Sequence, residues 1–428
     1  MLIQSFQKFL SRFFKKEERV FAQEYTASVH GIGLNDIPLH VVKLMRKLEE
    51  RGYEAYLVGG CVRDIMAGLK PKDFDVATSA LPEEILKVFP RSIAIGRRFR
   101  IVHVRMGREI VETITFRGDP TVPWLQSHFQ SKRNLDNIYG TKETDTYRRD
   151  FTINAFLYGL DGTLIDFHDG FNDFKNQRVR CIGDPSVRFK EDPVRMLRAL
   201  RLQAKLNFSL DPAIEGVIRK DKHLLSKVSS QRMFQEIIKL CYQGHGSASW
   251  SIITEYQLTF AFLPWEEELN TPMKKDMHAL VKCALAQSDE RFHRGETLSA
   301  AFLLAILTWV YFNKIRDEGR DSTMRHKRFT RSFINFSDIA FKRIQPSRRI
   351  IDVVRQIFAM QNTLVKGDYR SVKYCIKQPR LRAAVDFLSL RANIDPILEP
   401  ASSWWLSYIN GDLANQEEMI LQKKSKDL

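Results

Sequence analysis

The sequence predicts an α+β protein whose first half mixes strands with helices and whose second half is all helical. Short apolar strands alternate with short helices from about residue 55 to residue 166. From Glu191 onward, apolar residues recur at helical spacing and strand signals nearly vanish. With 428 residues, 44% of them apolar, the chain is long enough for about two to four domains with ordinary cores.

The first 30 residues predict a basic amphipathic arm. Leu2, Phe6, Phe9 and Phe13 fall on one helical face, and lysines and an arginine lie opposite. This face either packs on the protein itself or on a partner, or it lies peripherally on a membrane surface. We expect neither a signal peptide here nor a membrane-spanning segment elsewhere.

A predicted strand, AYLV, is followed directly by Gly59 and Gly60. Glycines let the backbone approach a bulky anion, and the helix that starts near Cys61 would offer unpaired N–H groups to phosphates. Arg63 adds a positive side chain in the first turn of that helix. The pattern therefore predicts a phosphate site, although a Gly-Gly pair alone is also typical of an ordinary turn.

Two carboxylates follow a Lys-Pro-Lys turn. Asp73 and Asp75 are two residues apart in what we predict to be a strand, so both project to the same face. Adjacent carboxylates repel unless a cation lies between them, and a divalent metal is the usual solution. A solvated turn is the alternative for this spacing.

Glu112 provides a candidate third carboxylate. It shares a strand face with Ile110 and Ile114, so we expect it on the buried side, where it needs a cation. Three carboxylates fit a two-metal site for phosphoryl or nucleotidyl transfer. The alternative is a salt bridge from Glu112 to Arg98 or Arg100.

Two further groups lie downstream. Arg148, Arg149 and Asp150 precede an apolar run, and arginines suit phosphate whereas a carboxylate suits a ribose hydroxyl. Asp192 stands before a proline at the start of a predicted helix, and Arg195 lies three residues on, near the same face. An ordinary helix cap is the alternative for Asp192.

The charge balance predicts a polyanionic partner. There are 67 Lys and Arg residues against 51 Asp and Glu, which gives a net charge of +16. Nucleic acid fits this surplus best, an anionic membrane second, and a merely basic protein remains the alternative. Much of the surplus lies in the helical half, in HKRFTRSF, KRIQPSRR and KQPRLR. Five cysteines without CxxC or Cys/His spacing predict reduced thiols in a cytoplasmic compartment and no zinc site.

Six segments in order, LVGGCVRD, KDFDVAT, IGRRFRIVHV, VETITFR, RRDFTINA and EDPVRMLRALR, resemble the bacterial poly(A) polymerase and tRNA CCA-adding enzyme family. The resemblance covers about residues 55 to 205. It implies a polymerase-beta-like nucleotidyltransferase head followed by an all-helical neck that reads the incoming base and an all-helical body that holds RNA. The domains that we predict are the arm (1–30), the head (31–170), the neck (171–250), the body (251–415) and a basic tail (416–428).

The resemblance also implies roles for the candidate residues. Asp73 and Asp75 would bind two magnesium ions, Asp150 would act on the incoming ribose, and Glu112 stands where the family keeps an acidic residue. The nucleotide would be held by Gly59, Gly60, Arg63, Arg148 and Arg149, with Asp192 and Arg195 at the base.

Base reading leaves two activities open. An aspartate accepts from an exocyclic amine and an arginine donates to a ring nitrogen, a pattern that fits adenine and cytosine but rejects uracil and guanine. Three segments favour the poly(A) branch: IGRRFRIVHV, the helix with Gln231 before its arginine, and the closing segment at 378–392. The resemblance therefore implies template-independent addition of AMP from ATP to RNA 3′ ends, which promotes RNA turnover.

A tRNA CCA-adding enzyme is the alternative, and an RNA-binding protein on a decayed head is a third hypothesis. The expected partners are RNA 3′ ends at the basic body, ATP, and RNA-decay or RNA-chaperone proteins. We expect a cytoplasmic protein, with peripheral membrane contact through the arm as an open option.

Overall fold

The structure, a computed structural model, describes residues 22–96, 100–118, 139–296, 299–318 and 325–426. The chain forms two compact units. The first comprises the described residues up to Arg188 together with Ser209–Ile214, and the second comprises Phe189–Phe208 and the described residues from Glu215 onward.

The first unit is built on an eight-stranded sheet with the order β1-β8-β7-β2-β3-β6-β5-β4. β3 and β6 pair in parallel, whereas the other neighbours are antiparallel. A second, two-stranded parallel sheet joins β9 to β10. The strands are β1 (Gln23–Tyr25), β2 (Ala55–Val58), β3 (Asp75–Thr78), β4 (Ile93–Ile95), β5 (Ile101–Met106), β6 (Glu109–Thr115), β7 (Leu157–Tyr158), β8 (Leu164–Asp166), β9 (Arg178–Val179) and β10 (Ser209–Leu210).

Helices cover this sheet and bury its apolar face. In the second helix, Val41, Leu44, Met45 and Leu48 recur at helical spacing, and all four are buried. The helices are α1 (Ala27–His30), α2 (Leu39–Glu49), α3 (Gly60–Met66), α4 (Pro82–Val88), α5 (Lys142–Tyr147), α6 (Gly170–Lys175) and α7 (Pro185–Glu191), the last of which runs across the division between the units.

Within the described residues, the second unit is helical throughout. Its cores are rich in aromatic side chains, among them Trp309, Phe358, Phe387 and Trp405. The helices are α8 (Val194–Leu206), α9 (Pro212–Asp221, which begins in the first unit), α10 (Ser230–Cys241), α11 (Gly246–Glu255), α12 (Thr271–His293), α13 (Ala300–Glu318), α14 (Arg325–Ala340), α15 (Arg348–Lys366), α16 (Tyr369–Cys375), α17 (Leu381–Ala392), α18 (Glu399–Asn410) and α19 (Leu413–Lys426).

The two compact units have limits of their own, and the five predicted domains stay predictions. Residues 1–21 of the predicted arm lie outside the described residues, but residues 23–25 form β1, which pairs with β8 as the edge strand of the sheet. The first unit extends past residue 170 to Arg188 and includes Ser209–Ile214. The division between neck and body near residue 250 stays a prediction. No helix in the described ranges is long and apolar enough to cross a membrane.

Candidate active site

A row of ionisable side chains crosses three strands of the first unit. Parallel pairing of β3 with β6 places Asp75 opposite Glu112, and antiparallel pairing of β5 with β6 places His103 opposite Glu112. Residues opposite each other on paired strands project to the same face of a sheet. Asp73 lies two residues before the start of β3, so the predicted pair stands at the end of a strand rather than within it.

The pKa of Asp75 is raised by burial and by the negative charges around it. Burial raises this pKa most, from an ordinary value of 3.8 to about 6. The negative charges of Glu112 and Asp73 raise it further, while the positive charge of Arg149 opposes them. Gathered carboxylates of this kind favour the binding of a cation, because a cation removes their mutual repulsion.

Our expectation that Glu112 lies on the buried side of the sheet is wrong. The buried face of β6 carries Val111, Thr113 and Thr115, whereas the Glu112 side chain is 52% exposed. Apolar Ile110 shares its face but is itself exposed, so the alternation in this strand indicated the wrong face. Glu112 therefore owes its place beside Asp75 to strand pairing and not to burial.

The salt-bridge alternative for Glu112 takes a different form from the one we considered. Arg98 lies outside the described residues, and Arg100 pairs with Glu83. Among the described residues, His103 forms an ion pair with Glu112 when its imidazole is protonated. Nε2 of His103 lies 3.5 Å from Oε1 of Glu112. Sequence analysis missed His103, although it lies within the quoted segment IGRRFRIVHV.

The carboxylates suit a magnesium ion that is shared with a substrate. Within the described part of the chain, no three His, Cys, Asp or Glu side chains are gathered closely enough to hold a metal ion by themselves. Magnesium, however, is usually held by one or two carboxylates together with waters and substrate phosphates. Asp73 and Asp75 would supply such a pair, and a bound cation would oppose the charge repulsion that contributes to the raised pKa of Asp75.

The two glycines after β2 bring arginines close to the backbone. Gly59 has a φ of 79°, a conformation that favours glycine. A Cβ on Gly59 would lie 3.2 Å from Nη1 of Arg149, and one on Gly60 would lie 3.3 Å from Nη2 of Arg63. A side chain at Gly59 would therefore be disfavoured both by the backbone conformation and by the nearby guanidinium of Arg149.

Arg63 is engaged in several hydrogen bonds inside the first unit. Its side chain is buried and donates to Oδ1 of Asp64 from Nε at 3.0 Å and from Nη2 at 2.6 Å. Nη1 donates to Oδ1 of Asn154. The amide of Asn154 in turn donates to Oδ1 of Asp150 at 2.9 Å. Arg63 thus reaches Asp150 through Asn154, and its predicted contact with a phosphate stays a prediction.

Asn154 is a second residue that sequence analysis missed. It lies four residues after Asp150, in the quoted segment RRDFTINA, and it is buried. The backbone N–H of Phe151 also donates to Oδ1 of Asp150, at 2.9 Å. Two donors therefore fix one oxygen of this carboxylate, which restricts its rotation.

Arg149 is the arginine of this segment that faces the carboxylates. Its charge opposes the rise in the pKa of Asp75, and its Nη2 donates to Oδ2 of Asp145 at 2.8 Å. Its Nε is buried and has no hydrogen-bond partner among the described residues. Arg148 differs, because its Nη1 donates to the carbonyl of Gly118 at 2.9 Å. Of the two, Arg149 is better placed to bind a phosphate near Asp75.

The two candidates for base recognition belong to the second unit. Asp192 accepts from Nη2 of Arg232 at 2.7 Å and from the backbone N–H of Val194 at 3.3 Å. The N-cap of α8 is Pro193 and not Asp192, which the alternative had predicted. Nη1 of Arg195 donates to Oε2 of Glu191 at 3.1 Å. Both side chains are thus held in place by partners of opposite charge, and α10 supplies one of them.

Three known protein families match parts of the chain. The family described as the poly A polymerase head domain matches residues 55–180. A probable RNA and SrmB-binding site of polymerase A matches residues 207–269, and the polymerase A arginine-rich C-terminus matches residues 317–427.

Poly(A) polymerase I of Haemophilus influenzae is 35% identical over 416 residues, which cover 94% of this chain and 90% of that protein. The chain belongs to the poly(A) polymerase family. The resemblance to poly(A) polymerases that we drew from six short segments is therefore confirmed.

The CCA-adding relatives are similar over a shorter stretch. The CCA-adding enzyme of Lactobacillus helveticus is 37% identical over 228 residues, or 53% of this chain and 55% of that enzyme. A solved tRNA-processing enzyme in its apo form is similar in structure, with a TM-score of 0.62 and 21% identity over 92% of this chain and 98% of that chain. Together with the head-domain match, this likeness confirms the predicted nucleotidyltransferase head with a mostly helical remainder.

Proposed function

We propose that this protein adds AMP from ATP to RNA 3′ ends, repeatedly and without a template, with release of pyrophosphate. The similarity to Poly(A) polymerase I over nearly the whole chain carries this proposal. The carboxylate row in the first unit supports it, because nucleotidyl transfer needs oxygen ligands for magnesium.

In this reaction the RNA 3′-hydroxyl attacks the α-phosphorus of ATP and pyrophosphate leaves. Asp73 and Asp75 would hold two magnesium ions, which when bound stabilise the attacking and the leaving oxygens. Arg149, with its buried unsatisfied Nε, would bind a phosphate beside them. Asp150 would accept a hydrogen bond from the ribose, with its orientation fixed by Asn154.

Base selection would lie with Asp192 and Arg195. The carboxylate of Asp192 would accept from an exocyclic amine, and Arg195 would donate to the ring nitrogen beside it. Arg232 and Glu191 hold these two side chains in defined positions, which reduces the entropy lost when a base binds.

RNA would be held by the positive charge of the helical half. An enzyme that extends many RNAs grips phosphate and sugar rather than base sequence. Contacts with RNA-decay or RNA-chaperone proteins, and contact of the arm with a membrane, stay predictions that pull-down and liposome sedimentation with the full-length chain would test.

One experiment separates the proposal from its two alternatives. The protein is offered a generic RNA and a tRNA without its CCA end, with each nucleotide supplied singly. We expect long A tails on the generic RNA with ATP alone. Strict addition of C, C and A to the tRNA would contradict the proposal in favour of a CCA-adding enzyme, and RNA binding without any extension would indicate a decayed head.

A further inference from the structure

The second unit contains a cavity of about 310 Å³ among α12, α13, α15 and α17. Its apolar lining includes Phe302, Ile357 and Leu390. The Phe302 ring is only partly buried and packs edge-to-face on Phe387, with ring centroids 6.1 Å apart. The ring is therefore held against Phe387 and forms part of the apolar lining of the cavity.

Arginines surround this apolar surface. Arg291, Arg380 and Arg382 line the cavity, together with a single carboxylate, Asp386. Asp386 is mostly buried, and its oxygens lie 3.3 Å from Nε of Arg382 and 3.7 Å from Nη2 of Arg291. The lining thus keeps a positive surplus, and two of its arginines are held in position by the same acidic group.

Size and chemistry together define the ligand. Small-molecule sites have volumes of about 300 to 1,000 Å³ and combine apolar walls with a few polar groups. Arginine binds phosphate in a fixed geometry, and aromatic rings stack with nucleic-acid bases of any sequence. A phosphate with a planar base is the ligand that uses both features of this cavity.

We propose that the cavity binds one nucleotide of the RNA substrate, with its phosphate at Arg380 and Arg382 and its base against Phe302. An RNA nucleotide fits better than free ATP, because a phosphodiester carries one negative charge whereas a triphosphate would approach Asp386 with several. The inference rests on the proposed function, since it concerns how that function holds its RNA.

Two neutral substitutions test the cavity itself. Ala383→Phe fills it, and Phe302→Leu removes the ring with little change in bulk. Each is expected to weaken binding of fluorescein-labelled oligo(A) by the full-length protein about tenfold, the effect of removing the stacking surface for one base. The slope of log K against log salt should stay unchanged, because no charge is removed. Fluorescence anisotropy at several salt concentrations measures both quantities, and thermal melting confirms that each variant is folded.

Two charge reversals complete the comparison. Arg380→Glu should weaken binding and also flatten the salt slope by about 0.7 or more, because at least one phosphate of the RNA is then no longer neutralised. Arg370→Glu, an exposed arginine of α16 that does not line the cavity, should have a clearly smaller effect.

The outcomes separate this inference from the function on which it rests. Unchanged oligo(A) affinity in both neutral variants would overturn the inference, as would equal losses of affinity in Arg380→Glu and Arg370→Glu. Calorimetric loss of ATP binding in Ala383→Phe, with oligo(A) binding intact, would also overturn it. Failure of the proposed function would instead appear as a wild-type protein that makes no A tails.

Discussion

Arg63 and Arg348 carry the same guanidinium group in contrasting surroundings. Arg63 is buried in the first unit, where Asp64 and Asn154 take its hydrogen bonds. Arg348 is exposed at the start of α15, next to exposed Arg349. A reaction needs its atoms at fixed distances. A buried hydrogen-bond network holds a positively charged side chain at such a distance. Binding of the RNA backbone, in contrast, needs only a positively charged surface, which exposed side chains provide.

Removing either of the two proposed magnesium ligands should have the largest effect. Asp73→Ala or Asp75→Ala is expected to abolish A-tail synthesis, because a magnesium ligand is removed, while RNA affinity stays within a few-fold of wild type. Primer extension and anisotropy measure the two properties on the same preparations. Asp150→Ala should be severely impaired as well. Substantial turnover in either of the first two variants would contradict the assignment of magnesium to this pair.

Disturbing the buried network without touching a carboxylate should have the next largest effect. Asn154→Ala is expected to lower kcat by about ten- to a hundredfold, in the range seen when a residue that orients a catalytic ligand is removed. The KM for RNA should not change. The preference for ATP over its 2′- and 3′-deoxy analogues should shrink, because Asp150 would be less well oriented toward the ribose.

Asn172→Ala is the matched control for this variant, since Asn172 is an exposed asparagine of the same unit. It should behave as wild type. Wild-type kinetics and an unchanged ribose preference in Asn154→Ala would show that Asp150 does not depend on this hydrogen bond.

Reversing charge on the helical surface should have a smaller effect, confined to RNA. Arg348→Glu combined with Arg349→Glu is expected to raise the KM for RNA. The slope of log K against log salt should become shallower by about 0.7 for each phosphate that is no longer neutralised. The KM for ATP should not change. The double lysine variant keeps the charge and should match wild type. Unchanged RNA affinity and an unchanged salt slope in the double glutamate variant would show that RNA binds at another surface.

The smallest expected effect is on stability, through the pKa of about 6 at Asp75. This pKa lies above the ordinary value, so in metal-free protein the stability that this group contributes is present at low pH and lost as the pH rises through about 6. Magnesium binds the ionised carboxylate, so its effect on Tm should be slight at about pH 5 and grow above about pH 6. In Asp75→Asn the magnesium effect should no longer follow this pH dependence. A magnesium effect independent of pH in the wild type would contradict the assignment.

The sequence predicted the elements of the head better than their contacts. Asp75 and Glu112 could be selected because each lies in a short strand beside a recognisable segment, and strand pairing does bring them together. Alternation in β6 could not show that Glu112 is exposed, since Ile110 on the same face is exposed while Thr113 and Thr115 on the other face are buried. The three residues of β1 were too few to show any period.

Contacts between distant residues were beyond prediction for a different reason. An arginine near a Gly-Gly pair indicates phosphate binding whenever nothing else is known of its surroundings. Only the folded chain shows that Arg63 meets Asn154, 91 residues later. Likewise, nothing local to Asp192 indicates that Arg232 on another helix pairs with it.

The hydrogen bond between Arg63 and Asn154 bears on the order in which the active site forms during synthesis. Residues far apart in sequence come together late, because closing the intervening loop costs entropy before the contact offsets it. On the ribosome, Asp73, Asp75 and Glu112 emerge well before Asn154, so a nascent chain carries all three carboxylates before it can orient Asp150. We therefore expect the active site to mature in one late step, and chains that terminate before Asn154 to be inactive.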